Sequence, residues 1–150
     1  MSFKFTVSDV VPATPRAIYD AWLDSRKHGA MTGAKAKASA KVGGKWSAAG
    51  AYCWGVNLEL VPGKKIVQSW RSSDFAGDEP DSKIAVTLKP VSGGTKVILL
   101  HSAIPDSQAE TGYRDGWFEF YFNPMKAYFG AQKKPAAKRA KPATRRTAKK

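Results

Sequence analysis

Apolar and polar residues alternate in the first stretch of the chain, 3-FKFTVS-8, so that every second side chain is hydrophobic. This period of two predicts a half-buried strand. Thr14 and Pro15 follow, and together they predict the start of a helix, because threonine caps a helix and proline fits its first position. We expect this helix to end at Gly29.

The middle of the chain repeats the alternation in four segments, 51–60, 65–72, 83–90 and 95–102, which are joined by short glycine- and proline-containing turns. Such a run predicts an antiparallel sheet. Residues 35–46 add two expected short strands around a turn at Val42-Gly43-Gly44. In 51-AYCWGVNLEL-60 the large residues fall on one face, which we expect to point inward, and Cys53 falls on the other.

After Pro105 the period changes. Aromatic residues recur at three- and four-residue steps through 106–130, which predicts an amphipathic helix with an aromatic face. Pro124 is expected to kink or split this helix near residue 123. The element order therefore predicts an α+β domain, in which the long C-terminal helix covers one face of the sheet.

The last twenty residues, 131-AQKKPAAKRAKPATRRTAKK-150, differ in kind from the rest of the chain. They hold nine of its 25 Lys and Arg residues and none of its 12 acidic residues, and so carry most of its formal net charge of +13. They contain no aliphatic side chain larger than alanine, and such a segment cannot bury apolar surface. We predict a folded domain over 1–130 and a disordered basic tail over 131–150.

A flexible polycation releases condensed counterions from nucleic acid, which gives salt-dependent affinity without sequence preference. The tail is therefore expected to bind nucleic acid; anionic lipid headgroups, or no dedicated partner, remain alternatives. The residues expected to contact phosphate groups are Lys133, Lys134, Lys138, Arg139, Lys141, Arg145, Arg146, Lys149 and Lys150.

Three features of the sequence predict the cellular compartment. The single cysteine cannot form an internal disulfide, no apolar run approaches the about 20 residues of a membrane span, and the first residues lack the apolar region of a signal peptide. We expect a cytoplasmic protein without a membrane span, associated with the nucleoid if the tail binds DNA.

Six collinear stretches resemble a known family. They are 15-PRAIYDAW-22, His28 with 31-MTGAKA-36, Gly43-Gly44, 62-PGKKIVQSWRSSDF-75, 94-GTKVILLHSAIPD-106 and 116-GWFEFYFNPMKAYF-129. Residues 1–130 resemble the family named after the activator of the heat-shock chaperone ATPase, within the START-like superfamily. The resemblance implies a helix-grip fold: a curved antiparallel sheet of about six or seven strands around a long C-terminal helix, with an apolar cavity that different members use for lipids, hormones, polyketides or protein contacts.

Residues with catalytic chemistry are few. The two histidines, His28 and His101, and the one cysteine show no metal-ligand spacing, and strand parity places Cys53 and His101 on opposite faces. We expect no metal, no cofactor and no enzymatic activity. His28 is expected to cap the end of the first helix. His101 is either a ligand contact on the inner face or a structural residue.

The aromatic stripe of the last helix either fills the core or forms one wall of a ligand cavity. On the second interpretation, Gln68 is the polar group expected to orient a ligand. The predicted ligand-binding residues are Tyr52, Trp54, Gln68, Trp70, Val86, Leu99, His101, Tyr113, Trp117, Phe120 and Tyr121.

Three functions are consistent with these patterns. The first is a non-enzymatic domain that binds a small apolar ligand and is tethered to nucleic acid by its tail. The second is a protein-interaction module associated with a chaperone or with the stress response. The third is a nonspecific nucleic-acid-binding protein whose domain is a scaffold.

Overall fold

The computed structural model describes residues 2–133. Six strands form one antiparallel sheet in the order β1-β6-β5-β4-β3-β2. The strands are β1 (Ser2–Val11), β2 (Lys45–Ala48), β3 (Cys53–Val61), β4 (Lys65–Ser72), β5 (Ser82–Val91) and β6 (Gly94–Pro105). The α+β class, the antiparallel curved sheet and the C-terminal helix predicted from the sequence are confirmed.

Two short helices follow β1, where the sequence predicted one. Helix α1 (Pro15–Trp22) begins as expected, since the side chain of Thr14 accepts a hydrogen bond from the backbone of the first turn. Helix α2 (Ser25–Thr32) is capped by Asp24 and ends at Gly33, which adopts a left-handed φ of 80°. The predicted end at Gly29 is therefore wrong, because a new N-cap restarts the helix after Trp22.

The C-terminal helical segment is interrupted near residue 123, as Pro124 predicts. A 3-10 turn (Asp106–Gln108) is followed by α3 (Tyr113–Trp117), a π-helical turn (Phe118–Phe122) and α4 (Asn123–Lys133). In the wider π-helical turn, the backbone N–H of Asn123 donates to the carbonyl of Phe118. The next residue, Pro124, has no N–H to donate, so the regular hydrogen-bond pattern is interrupted there. Helix α4 continues to Lys133, three residues past the predicted domain end.

In strand β3, the residues that face inward and those that face outward are the reverse of what the sequence predicted. Cys53 and Asn57 are buried, whereas Trp54 and Leu58 are 39% and 46% exposed on the outer face. The preceding turn fixes this phase, because Ala49, Gly50 and Ala51 all adopt positive φ. A register shift between Asn57 and Glu59 then restores an inward position for Leu60. Of the two short strands expected in 35–46, the one after the turn lies in β2, whereas the one before it is only an isolated bridge between Lys37 and Ser47.

The core lies between the inner face of the sheet and the helices. Trp22, Met31, Phe122 and Met125 are almost fully buried against the apolar residues of the central strands. An ion pair of 2.7 Å between Lys126 and Asp9 joins α4 to β1. Within residues 2–133, no helix is long and apolar enough to span a membrane.

Candidate functional site

A cavity of about 360 Å³ opens between the β2–β3 turn, the end of β4 and the first part of the C-terminal helical segment. Its wall is apolar and rich in aromatic rings. The lining residues are Ala49, Tyr52, Cys53, Trp70, Thr111, Gly112, Tyr113, Gly116, Trp117, Phe120 and Tyr121.

Six of the eleven predicted ligand-binding residues lie together in this wall: Tyr52, Trp70, Tyr113, Trp117, Phe120 and Tyr121. Phe120 is 59% exposed, which is unusual for a phenylalanine beside an aromatic core. Sequence reasoning missed the small lining residues. Gly112, the N-cap of α3, and Gly116, four residues further on within α3, leave room that side chains would fill, and this spacing was the available signal.

Trp54 and Gln68 do not line the cavity. Trp54 lies on the outer face because of the phase of β3, so its prediction as a ligand contact is wrong. Gln68 accepts from Trp22 Nε1–H at 3.2 Å and donates to Asn57 Oδ1 at 2.9 Å. Asn57 in turn donates to the carbonyls of the loop before β2. The Gln68 amide is therefore bonded on both sides within the protein, where it supports that loop.

Val86, Leu99 and His101 also lie outside the cavity wall. Val86 and Leu99 are fully buried core residues. Trp117 Nε1–H donates to His101 Nδ1 at 3.2 Å, so the ring proton is on Nε2, which donates to Ser82 Oγ at 2.9 Å. Burial lowers the pKa of His101 to about 3. His101 is thus a neutral structural histidine, and the ligand-contact alternative is wrong.

His28 is buried inside α2, and from there its ring caps the end of the first helix, because Trp22 is the last residue of α1. Its Nδ1–H donates to the carbonyl of Trp22 at 2.8 Å, which leaves Nε2 to accept from the hydroxyl of Tyr121 at 2.7 Å. Burial lowers the pKa of His28 and raises the pKa of Tyr121. This pair fixes a tyrosine of the cavity wall to the helix behind it.

The cavity rim is held by a hydrogen-bond network. Tyr52 Oη donates to Asp74 at 2.6 Å, and burial together with this carboxylate raises the pKa of Tyr52. Tyr113 Oη donates to Gln108 Oε1 at 2.8 Å, and Thr111 donates to the Gln108 carbonyl at 2.6 Å. The rim residues Tyr52, Thr111 and Tyr113 are therefore held in position by the segments around them.

Cys53 lies in the cavity wall, on the inner side of the sheet. The parity argument that separated it from His101 is therefore wrong, since both residues face inward. Burial raises the pKa of the thiol to about 12, and its S–H donates to the Ala48 carbonyl at 3.8 Å. A protonated thiol is a weak nucleophile. Within residues 2–133, no group of three His, Cys, Asp or Glu residues could hold a metal ion.

The curved six-stranded sheet closed by the C-terminal helix defines a START-like helix-grip domain. The family model described as "Activator of Hsp90 ATPase homolog 1-like protein" matches residues 12–130. The chain belongs to this family, and the resemblance stated from the sequence is confirmed.

Two curated relatives are named as activators of the 90 kDa heat shock protein ATPase. The Homo sapiens protein is 28% identical over 127 residues, which are 85% of this chain and 37% of the relative. The Dictyostelium discoideum protein is 30% identical over 125 residues, which are 81% of this chain and 31% of the relative. The chain thus spans about a third of the length of these curated relatives.

Two solved structures are similar to the whole domain. A crystal structure titled as an HSP90 activator from Plasmodium falciparum has a TM-score of 0.75 and 23% identity, and the match covers 85% of this chain and 96% of that one. A protein from Chromobacterium violaceum has a TM-score of 0.67 and 27% identity, with coverage of 83% and 94%. The first comparison, below 25% identity, concerns the fold alone.

Proposed function

We propose that this domain binds a small, largely apolar ligand in the cavity between the sheet and the C-terminal helical segment. The observation that carries the proposal is the cavity wall itself: about 360 Å³ surrounded by six large aromatic side chains and two glycines. Ligand sites in proteins are commonly concave and apolar, with a few fixed polar groups. The rim network supports the proposal because it keeps the opening in a defined shape.

Exposure of Phe120 adds support. A phenylalanine that only filled the core would be covered, yet this ring is 59% exposed while it lines the cavity. Burying an aromatic side chain is favourable, and a ligand between Phe120 and Trp70 would supply that burial.

The test uses Prodan, a neutral naphthalene ketone whose fluorescence increases and shifts to the blue in apolar sites. Gly116 lies in helical backbone, and a Cβ added there would meet only Phe120, at 3.7 Å. Gly116→Leu should fill the cavity and weaken Prodan binding by at least about tenfold, because the added side chain takes the ligand's space. Gly130→Leu, the same change at a helical glycine outside the cavity, is the control and should bind as the unmodified chain does.

Equal binding by the two variants would contradict the cavity as the ligand site. Absence of any blue-shifted emission with the unmodified chain would count against ligand binding altogether.

A second candidate function is contact with a chaperone of the Hsp90 type. The names of the relatives favour it, as do Trp54 and Leu58, which place apolar surface on the outer face of β3. Large exposed apolar residues that lie close together often mark protein-binding surfaces. On this account the domain regulates the ATPase of a partner and catalyses no reaction itself.

Steady-state ATP hydrolysis by an Hsp90 chaperone, with and without the chain, tests this function. Stimulation should fall when Trp54 and Leu58 are both changed to serine. Val42→Ser, at a loop residue that is 65% exposed, is the matched control. No stimulation at any concentration of the chain would contradict the proposal.

We also propose that the basic tail gives nonspecific nucleic-acid affinity. Its residues 134–150 lie outside the described part of the chain, and Lys133 is the last residue of α4. The support is compositional, as are the expectations of a cytoplasmic location and of nucleoid association. Removal of 134–150 should abolish DNA retention at physiological salt, and retention by the full chain should decrease steeply with salt concentration. Equal retention by both chains would contradict the role of the tail.

A further inference from the structure

Trp70 differs from the other tryptophans in its hydrogen bonding. The indole N–H groups of Trp22, Trp46 and Trp117 each donate to a protein acceptor at 3.2 Å. Trp54 is 39% exposed and can bond water. Trp70 is only 4% exposed, and its Nε1–H has no acceptor among residues 2–133. Buried tryptophans usually find a partner for this group, so the exception needs an explanation.

Trp70 is part of the cavity wall. A buried donor without a protein acceptor is satisfied by whatever occupies the adjoining space, either water or a ligand. Neighbouring residues hold the Trp70 ring in place. Its ring lies 4.8 Å from His101 and 4.9 Å from Tyr113, both in edge-to-face contact, and its carbonyl accepts from Ser82 at 2.7 Å.

The hydroxyl hydrogens of the cavity wall are already engaged. Tyr52 donates to a carboxylate, Tyr113 and Thr111 donate to Gln108, and Tyr121 donates to a histidine nitrogen. These hydroxyls can therefore accept from a ligand but cannot donate to one. Trp70 Nε1–H is the remaining side-chain donor in this set of lining residues.

The charge of the cavity wall further restricts the class of ligand that can bind. The wall contains no Lys, Arg or His, and the thiol of Cys53 is protonated. An anionic ligand placed here would lose its hydration without gaining a cationic partner, which is costly in an apolar site. Carboxylates and phosphates are therefore disfavoured.

We propose that Trp70 is a specificity-determining donor, and that the cavity takes an uncharged, largely apolar ligand whose carbonyl or ether oxygen accepts the Trp70 Nε1–H bond. This inference rests on the proposed ligand-binding function and adds the chemical class of the ligand to it.

The test compares two neutral probes, 9-fluorenone and fluorene, which share a planar tricyclic frame and differ by one carbonyl oxygen. The unmodified chain should bind fluorenone about two- to tenfold more tightly, the range expected for one net hydrogen bond. Trp70→Phe removes the donor, so this preference should fall to about one. Trp54→Phe removes an indole N–H outside the cavity, and it should keep the preference.

A spectroscopic readout covers the case in which Trp70→Phe does not fold. The chain has five tryptophans, so its nitrogen-15 spectrum contains five indole signals, which the four other Trp→Phe variants assign by difference. Fluorenone should move the Trp70 indole proton downfield relative to its position with fluorene. The Trp54 signal should not move.

The outcomes separate the two proposals. If both probes bind with equal affinity, or if Trp70→Phe keeps the preference, the donor role is wrong: water satisfies the indole, and the cavity still stands as a ligand site. If neither probe nor Prodan binds, the proposed function is overturned and this inference with it.

Discussion

His101 makes the stability of the domain sensitive to mild acid. The ring is fully buried and neutral, with Nδ1 accepting from Trp117 and Nε2–H donating to Ser82. Burial lowers its pKa from 6.5 to about 3. Between these two pH values the unfolded chain binds a proton that the folded chain does not. Stability is therefore lost as the pH falls below 6.5, and the loss continues toward pH 3.

The magnitude follows from the two pKa values. Between pH 7 and pH 5, protonation of His101 in the unfolded chain should lower the free energy of unfolding by about 2 kcal/mol. His28 acts in the same direction, because burial lowers its pKa too. These are the only histidines of the chain. Carboxyl groups titrate mostly at lower pH, so the change in stability between pH 7 and pH 5 comes mainly from the two histidines.

Urea denaturation of the unmodified chain and of His101→Gln, each at pH 7 and pH 5, measures the effect. Glutamine keeps one donor and one acceptor in place but does not titrate. The loss of stability between the two pH values should be smaller in the variant by about 2 kcal/mol, while the His28 contribution stays common to both. An unchanged pH dependence would refute the assignment of a buried, neutral His101.

Three further predictions concern the fold. Asn57→Ala should destabilise the domain by about 2–4 kcal/mol in urea denaturation, because it removes the acceptor of Gln68 Nε2 and the donor to the Ser39 and Lys41 carbonyls; a loss below about 0.5 kcal/mol would contradict this. Gly55→Ala should cost more than about 3 kcal/mol, because the new Cβ would overlap the backbone oxygen of Ser69; normal expression and melting would exclude that clash. Removing 134–150 should leave the melting temperature within about 2 °C, because an alanine- and lysine-rich segment buries little apolar surface; a larger drop would show that the tail docks on the domain.

The sheet and the C-terminal helical segment could be predicted because their patterns are local. Alternation in the central segments reflects one buried face, and the aromatic spacing after Pro105 reflects another. The interruption near residue 123 followed from the covalent chemistry of proline, which has no N–H. The family resemblance then supplied the arrangement of these elements around a cavity.

The phase of β3 could not be predicted because it does not depend on hydrophobicity alone. Trp54 and Leu58 look like core residues, yet Cys53 and Asn57 point inward. The turn with positive φ at 49–51 sets the phase, and the amide network of Asn57 makes a polar residue stable inside. Neither the turn geometry nor the amide network can be seen in a hydropathy pattern.

The surroundings of the two histidines could not be predicted for a similar reason. Their partners are remote in sequence: Tyr121 lies 93 positions from His28, and Trp117 lies 16 positions from His101. Of the six predicted residues that line the cavity, four come from the aromatic stripe of α3 and the π-helical turn, and Tyr52 and Trp70 come from the sheet side. The part that was missed consists of small residues, which shape the cavity by leaving space.

A crystal structure of the chain with Prodan would locate the ligand site itself. We expect the dye to lie in the cavity between Trp70 and Phe120, with its carbonyl oxygen within hydrogen-bond distance of Trp70 Nε1 and the rim bonds of Tyr52 and Tyr113 intact. A dye bound to the outer face of the sheet, or a cavity that holds only ordered water at saturating dye, would contradict it.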